Sequence, residues 1–193
     1  MKHTLIICGH PNKDSFCAAL AQHYQKGIDK NHETTNELVF LSDLTFDPIL
    51  WKGYQEIQEL EPDLLLMQEK IKKADHLVWV FPSWWGNMPA LMKGFIDRTF
   101  LPGYAFKYKP NSALWEKFLT KKSARLIITM DSPKWYNWLV YKNAIKNTMK
   151  NAVLNYCGVS PVKVTTFAPI KSSTPEKRTR WLSEIELLGE KMQ

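Results

Sequence analysis

One loop, PSWWGN at residues 82–87, holds the residue types that most clearly indicate chemistry. Trp84 and Trp85 stand side by side in it, between an apolar run and a helix-forming segment. Large rings in a turn are costly to leave in water unless a flat, partly apolar partner covers them. The peptide groups of Gly86 and Asn87 can donate hydrogen bonds to the polar edge of such a partner. The loop therefore predicts a site for a planar cofactor, against the alternative of two tryptophans buried in the core.

A second candidate is the turn GHPNKDSFC at residues 9–17. The helix that follows presents unpaired backbone N–H groups and the positive end of its dipole, which suits a phosphate. Asp14 or Ser15 can cap this helix. Ser15 can also contact the phosphate, whereas Asp14 is assigned to capping because its charge would repel a phosphate. His10 can bind a phosphate or can only cap backbone groups. The spaced glycines of dinucleotide-binding and Walker loops are absent, so this turn alone is a weak signal.

The third candidate is TMDSPKWY at residues 129–136, which combines hydroxyl groups, a cation and another tryptophan. Hydrogen-bond donors there can stabilise negative charge that develops on a reduced cofactor edge. All three loops follow predicted strands, and open α/β sheets bind ligands at the carboxyl ends of their strands. A flavin needs an apolar wall, donors near its pyrimidine edge and an open face for a hydride donor. Together the three loops favour a composite flavin site.

Five short apolar runs predict the strands that position these loops, at residues 4–8, 37–41, 76–81, 124–129 and 162–167. Segments with helical spacing separate them, and Pro62 and Pro89 suit first helical positions. Loops are expected at residues 43–50 and 130–137. The last helix is expected to turn four side chains toward the core: Trp181, Ile185, Leu188 and Met192. The alternation predicts one α/β domain over residues 1–193, with a parallel sheet and right-handed crossovers.

The composition bounds the class of protein. Hydrophobic residues make up 45% and charged residues 23% of the chain, which is typical of a soluble globular domain. No apolar run approaches ~18 residues, and the N-terminus lacks a signal-peptide cleavage site, so a cytoplasmic location is expected. The chain has three cysteines, Cys8, Cys17 and Cys157. Their odd number suits a reducing compartment, and their spacing is unlike that of metal ligands, so no metal site is predicted.

The formal net charge of +7 permits an anionic partner. Most lysines are dispersed and no nucleic-acid-binding motif is present, so we expect no nucleic-acid role. One ordered set, Lys142, Lys146 and Lys150, would stack on one helix face. That face is either simply solvated or attracts a phosphorylated ligand or an acidic partner.

These motifs resemble the NAD(P)H:quinone oxidoreductases of the flavodoxin-like fold, and especially the short bacterial members of the quinone-reductase, general-stress and potassium-efflux-ancillary types. The resemblance covers essentially the whole chain. Its most specific part is residues 81–106, where F-P-x-x-W-x-x-x-P-A-x-x-K-G-x-x-D-R and the following GYAF are similar to the family's ring-binding loop, helix and next loop. GHPNKDSF at residues 9–16 is similar to the flavin-phosphate turn, and DLTFDPIL at residues 43–50 to the second-strand loop.

The resemblance implies a flavodoxin-like three-layer sandwich around a five-stranded parallel sheet, and it assigns the residues that bind the flavin. Those at the flavin phosphate and ribityl chain are His10, Ser15, Phe16 and Cys17. Those on the ring loop are Pro82, Ser83, Trp84, Trp85 and Gly86, with Asn87 beside them. Those on the third loop are Thr129, Met130, Asp131 and Tyr136, of which Met130 and Asp131 replace a glycine pair found in many members.

The activity implied is that of an NAD(P)H dehydrogenase (quinone). A nicotinamide would pass a hydride to FMN or FAD and leave, and a quinone would then take two electrons, which is a ping-pong mechanism. Tyr136 and Lys142 are the candidate catalytic residues. Tyr141 and Lys142 stand where some members have a histidine, and the lysine cation can stabilise a reduced flavin. One flavin per subunit at a dimer interface implies a homodimer.

Three other functions stay open. The chain can be a flavin-binding regulatory subunit of a potassium efflux transporter, which the basic surface permits. It can be a one-electron carrier of the flavodoxin type, although such carriers are usually acidic. It can also be a binding module without flavin.

Overall fold

The computed structural model describes residues 1–191 and consists of a five-stranded parallel sheet between two layers of helices. The strand order is β2-β1-β3-β6-β7, and a separate two-stranded antiparallel hairpin pairs β4 with β5. The strands are β1 Lys2–Cys8, β2 Thr34–Phe40, β3 His76–Pro82, β4 Phe106–Tyr108, β5 Trp115–Lys117, β6 Ser123–Thr129 and β7 Val162–Phe167. The five parallel strands and the predicted fold class are confirmed.

Residues 1–191 include six α-helices: α1 Phe16–Asp29, α2 Pro62–Lys73, α3 Ala90–Thr99, α4 Lys134–Leu139, α5 Ala144–Asn147 and α6 Pro175–Glu190. A short 3₁₀ turn, Leu41–Asp43, follows β2, and a π-helical segment, Thr148–Asn155, continues α5. Helices α1 and α6 pack on one face of the sheet, while α2, α3 and α5 pack on the other. No helix within residues 1–191 has the length and apolar character to cross a membrane.

The predicted elements differ from the structure in several places, among them β1, which begins at Lys2 rather than residue 4. Strand β2 begins at Thr34 rather than residue 37 and ends at Phe40, because it pairs with β1 along its whole length. Its polar first half was missed since an edge strand need not be apolar. The loop predicted at residues 130–137 instead ends at Pro133, whose fixed φ of −57° starts helix α4. The hairpin β4–β5 was not predicted, and Met192 of the predicted core face lies outside the described residues.

Of the two candidate caps of α1, Ser15 is correct and the assignment to Asp14 was wrong. The N-cap of α1 is Ser15, whose Oγ accepts a hydrogen bond from the N–H of Ala18 at 3.2 Å. The N–H of Asp14 instead donates to Oδ1 of Asn12 at 2.8 Å, which places Asp14 one residue before the cap. The Asp14 side chain is therefore an exposed part of the turn.

The loop at residues 44–61, called the strap below, is held against α3 by a buried arginine. Arg98 is completely buried, and its guanidinium donates to the carbonyl oxygens of Asp47 and Glu59 and to both carboxylate oxygens of Glu61. A Cβ at Gly94, one turn earlier on α3, would lie 2.5 Å from the carbonyl oxygen of Pro48 in the strap. Gly94 and Arg98 thus have one shared structural role, which is to let the strap approach α3 and to fix it there.

Candidate functional site

The carboxyl edge of the sheet brings the three predicted loops together around one cavity. The strand order reverses between β1 and β3, which is the point where open α/β sheets bind ligands. A cavity of about 190 Å³ lies there. The predicted residues that line it are His10, Ser15, Phe16, Cys17, Pro82, Ser83, Trp84, Thr129, Met130 and Asp131. Four other predicted cofactor-binding residues and the predicted catalytic residue Lys142 lie outside its lining. The four are Trp85, Gly86, Asn87 and Tyr136.

The first loop ends in an anion-binding geometry. Ser15 caps α1, and the N–H groups of Phe16 and Cys17 in the same turn have no acceptor within the helix. Nδ1 of His10 accepts a hydrogen bond from the N–H of Asn12 at 3.0 Å, so the neutral ring carries its proton on Nε2. Burial lowers the pKa of His10 and favours this neutral form. The ring of His10 thus accepts a hydrogen bond from the backbone of its own loop, and its Nε2–H group remains available as a donor.

Cys17 lies in the wall of the cavity. Its Sγ is 3.1 Å from Oγ1 of Thr129, which is a contact between α1 and the end of β6. Both side chains are buried, and burial raises the pKa of Cys17 to about 12. The thiol is therefore a neutral, polarisable part of the wall.

The second loop is a tight hairpin turn whose tip is Trp85. Trp84 and Asn87 exchange two backbone hydrogen bonds, of 2.7 and 2.9 Å, and Trp85 and Gly86 both have positive φ (51° and 73°), as in a type I′ turn. Such a backbone costs a residue with a Cβ roughly 1–2 kcal/mol, and glycine avoids this cost. Trp85 is nevertheless fully exposed, and Trp84 is 44% exposed. The alternative of two core tryptophans is wrong.

The third loop adds polar and aromatic groups. The carboxylate of Asp131 accepts a hydrogen bond from the N–H of Lys171 at 2.8 Å, so it fixes the loop after β7 while it lines the cavity. The ring of Tyr136 meets that of Tyr141 edge-on at 5.3 Å. A Cβ at Gly86 would lie 4.0 Å from the ring of Tyr141. Tyr141 therefore connects the third loop to the tip of the second.

Direct contacts hold the loops in register with one another. The ring of His10 meets the ring of Trp84 edge-on at 5.4 Å, and the N–H of Ser83 donates to the carbonyl of Thr129 at 2.7 Å. The ring contact joins the first loop to the second, and the hydrogen bond joins the second loop to the third. A site assembled in this way presents an anion-binding helix terminus, an aromatic shelf and hydroxyl donors on one edge. That set fits a flavin phosphate, its ring and the ring's polar edge.

Two residues of the site were missed by sequence reasoning. Ile170 lines the cavity and its N–H donates to the carbonyl of Met130 at 3.0 Å. It follows the fifth strand, so its place at the same carboxyl edge was a usable signal. Tyr141 is the second, and nothing in its local sequence indicated a contact with Gly86.

The comparisons with known proteins agree with this geometry. The family model described as "Flavodoxin-like fold" matches residues 2–186. A protein of Haemophilus influenzae named "Uncharacterized NAD(P)H oxidoreductase" is 30% identical over all of this chain and 95% of its own length. The "FMN-dependent NADH:quinone oxidoreductase" of Macrococcus caseolyticus is 30% identical over 66% of this chain and 68% of its own.

A solved structure, "NAD(P)H:quinone oxidoreductase from Methanothermobacter marburgensis", superposes with a TM-score of 0.82 at 22% identity, covering 99% of this chain and 96% of that one. At that identity the likeness supports the fold. Together with the family match, it defines a flavodoxin-like protein whose site lies at the sheet's carboxyl edge. The chain belongs to the flavodoxin-like family of NAD(P)H oxidoreductases. The class of protein expected from the sequence is confirmed.

Proposed function

We propose that this protein is an FMN-dependent NAD(P)H:quinone oxidoreductase that works by a ping-pong mechanism. The observation that carries the proposal is the exposed aromatic turn of Trp84 and Trp85 beside a cavity that ends at the amino terminus of α1. A strained, solvent-exposed tryptophan is costly unless a ligand covers it. The names of the relatives from Haemophilus influenzae and Macrococcus caseolyticus support the donor, the acceptor and the cofactor.

The first loop would hold the phosphate of the FMN. The N–H groups of Phe16 and Cys17, the Ser15 hydroxyl and Nε2 of His10 are all donors, and the positive end of α1 adds to them. Asp131 is the one carboxylate in the lining, and its bond to Lys171 draws that oxygen toward the loop after β7. The flavin-facing side of the cavity would therefore favour an anion.

The second and third loops would hold the ring system. Trp84 and Trp85 would cover one face, and the residues that border the ring edge would be Pro82, Ser83, Gly86, Asn87, Thr129, Met130 and Tyr136. A flavin held there would supply the two-electron chemistry between a nicotinamide and a quinone. The protein's contribution is to orient the ring, leave its other face open, and place donors where negative charge develops.

Tyr136 is the proposed catalytic donor to that developing charge. Tyr136→Phe should keep the edge-on ring contact with Tyr141 and leave FMN affinity unchanged, while kcat falls roughly 10- to 100-fold because one donor is lost. Steady-state kinetics with a saturated cofactor would measure this. Tyr54→Phe removes the same hydroxyl group from an exposed position in the strap, outside the cavity lining, and is the matched control that should keep kcat. Unchanged turnover in Tyr136→Phe would remove this role.

The proposal as a whole is tested by the cofactor itself. The protein purified from its own cells should be yellow, and mass spectrometry of the released chromophore should identify FMN. Steady-state assays with NADH and NADPH against a panel of quinones would then identify the donor and acceptor. A colourless protein that takes up neither FMN nor FAD would refute the proposal.

We propose further that the protein acts as a homodimer. Large exposed apolar side chains surround the site, a kind of surface that in free monomers is usually an interaction site: Trp85, Trp135 and Tyr141. A second copy covering them would also complete the pocket over the open flavin face. Analytical ultracentrifugation at micromolar concentration should give a mass near twice 22.5 kDa. A monomer at that concentration would contradict it.

A second candidate function is that of a cytoplasmic, flavin-binding regulatory subunit of a potassium efflux transporter. The net charge of +7 supports attraction to an acidic partner, and three free cysteines suit a reducing compartment. Co-purification with such a transporter, together with loss of its gating when the gene is deleted, would favour this role. Full quinone turnover without any transporter would favour the enzyme.

A further inference from the structure

The chain from residue 132 to residue 174 has an unbalanced charge. It includes six lysines and no aspartate or glutamate. Within residues 1–191, ion pairs are formed by lysines elsewhere, such as Lys93 with Asp97, whereas none joins Lys134, Lys142, Lys146 or Lys150. The side of the site built from this segment therefore presents positive charge that the protein does not neutralise.

One of these lysines is held in an unusual backbone conformation. Lys142 and Asn143 are consecutive non-glycine residues with positive φ, of 50° and 55°. Three asparagine contacts fix them. Nδ2 of Asn147 donates to the carbonyl of Lys142 at 2.8 Å, the N–H of Asn143 donates to the carbonyl of Asn137 at 3.0 Å, and Nδ2 of Asn137 donates to Oδ1 of Asn143 at 3.0 Å. Strained backbone of this kind persists only where its surroundings determine it.

Beside this turn is a second cavity, of about 180 Å³, lined by Trp138, Leu139, Lys142 and Asn143. Its indole and leucine side chains give an apolar wall, Lys142 gives a cation, and none of the four residues has a carboxylate. A flat apolar wall beside an unpaired cation is complementary to a planar aromatic molecule with an anionic substituent.

The second cavity borders the proposed flavin site. Tyr141, the residue before Lys142, contacts Tyr136 edge-on and lies over Gly86 at the tip of the ring loop. A molecule seated beside Lys142 would thus be next to the shelf of Trp84 and Trp85. The position suits the acceptor that follows the nicotinamide.

We infer that the site selects planar aromatic acceptors that carry an anionic group, such as sulfonated or carboxylated quinones, and that Lys142 is the residue that determines this preference. The inference rests on the proposed function for its redox step and adds the chemical class of the acceptor. An anionic group at this position gains the attraction of Lys142, which forms no ion pair within residues 1–191. A neutral quinone gains only the apolar contact.

The kinetic test compares menadione with 1,4-naphthoquinone-2-sulfonate at a fixed NAD(P)H concentration. Because the two acceptors differ in intrinsic reactivity, the informative quantity is the ratio of their kcat/KM values in a variant divided by that ratio in the wild type. Lys142→Gln should lower the sulfonate-to-menadione ratio about fivefold at low ionic strength, as expected for a partly exposed charge pair. The effect should shrink at ~0.5 M salt, where charges are screened.

Two matched variants separate charge from structure. Lys142→Arg keeps the cation and should keep the ratio. Lys163→Gln removes the same charge at the start of β7, on the opposite edge of the sheet, and should leave the ratio unchanged. A fall in kcat/KM by the same factor for both acceptors in Lys142→Gln would overturn the inference, since Lys142 would then act on a feature that the two quinones share.

A binding measurement keeps this inference separate from the proposed function. Isothermal titration of the protein as purified with naphthalene-2-sulfonate, against the neutral naphthalene-2-sulfonamide, needs no turnover. The sulfonate should bind more weakly to Lys142→Gln by about threefold or more, and the sulfonamide equally well to both. If neither quinone is reduced but this difference is found, the anion site stands and the enzymatic function fails. If both quinones are reduced and the two assays show no dependence on Lys142, the inference fails.

Discussion

Replacing Ser15 by aspartate is expected to abolish FMN binding while the fold stays intact. Aspartate caps a helix about as well as serine, so the hydrogen bond to the N–H of Ala18 can be kept. The new carboxylate would stand at the amino end of α1, where the phosphate is proposed to bind. Two like charges about 4 Å apart repel by roughly 4 kcal/mol at an effective dielectric of 20, which corresponds to a loss of affinity of at least ~100-fold.

Fluorescence titration of the flavin-free protein with FMN measures this loss, and thermal unfolding checks the fold. Ser15→Ala is the control, because it should lower stability while largely keeping FMN affinity. It removes the cap, at a cost of about 0.5–2 kcal/mol in the free energy of unfolding, but adds no charge, so FMN affinity should fall far less. Equal FMN affinity in Ser15→Asp and the wild type would place the phosphate elsewhere and would refute the role given to α1.

The largest expected effect on stability comes from Arg98→Met. The guanidinium is completely buried and binds the strap through two carbonyl groups and the carboxylate of Glu61, with hydrogen bonds of 2.8 and 2.9 Å among them. Removing the guanidinium leaves two strap carbonyl groups without their donor and leaves Glu61, whose side chain is 29% exposed, without its cation, so the free energy of unfolding should fall by about 3 kcal/mol. Urea denaturation followed by circular dichroism would measure the change.

Arg180→Met is the matched control, because Arg180 lies exposed on α6 and its loss should change stability by less than about 0.5 kcal/mol. A loss below about 1 kcal/mol for Arg98→Met would mean that the strap is held by other contacts. The result also bears on the motif K-G-x-x-D-R, whose glycine and arginine both serve the strap in this structure.

The sheet and its ligand-binding edge were predictable from the sequence because both depend on local signals. Buried strands such as β3 read as continuous apolar runs, and alternation with helices implies a parallel sheet. The loops after β1, β3 and β6 must then lie on one edge. Ten of the predicted cofactor-binding residues line a single cavity for this reason, whereas their roles toward a flavin stay predictions.

The remaining features depend on contacts between residues distant in sequence. The positive φ of Trp85 follows from a turn closed by Trp84 and Asn87, and no propensity rule favours tryptophan there. The hydrogen bonds that fix the backbone at Lys142 come from asparagines on two helices and in the turn between them. Only the folded chain brings these asparagines together. A loop with a proline was predicted at residues 43–50 only, and the bonds from Arg98 to the strap join residues 39 and 51 positions apart in the sequence.

The wall formed by Cys17 and Thr129 has a consequence for an enzyme that handles electrons. Reduced flavins exposed to air generate peroxide, and a thiolate nearby would be converted to sulfenic acid and then to irreversible products. The thiol of Cys17 is buried and its pKa is about 12, so at neutral pH almost none of it is in the reactive form. The protein thus keeps a sulfur atom against its proposed redox cofactor without exposing itself to oxidative self-inactivation there.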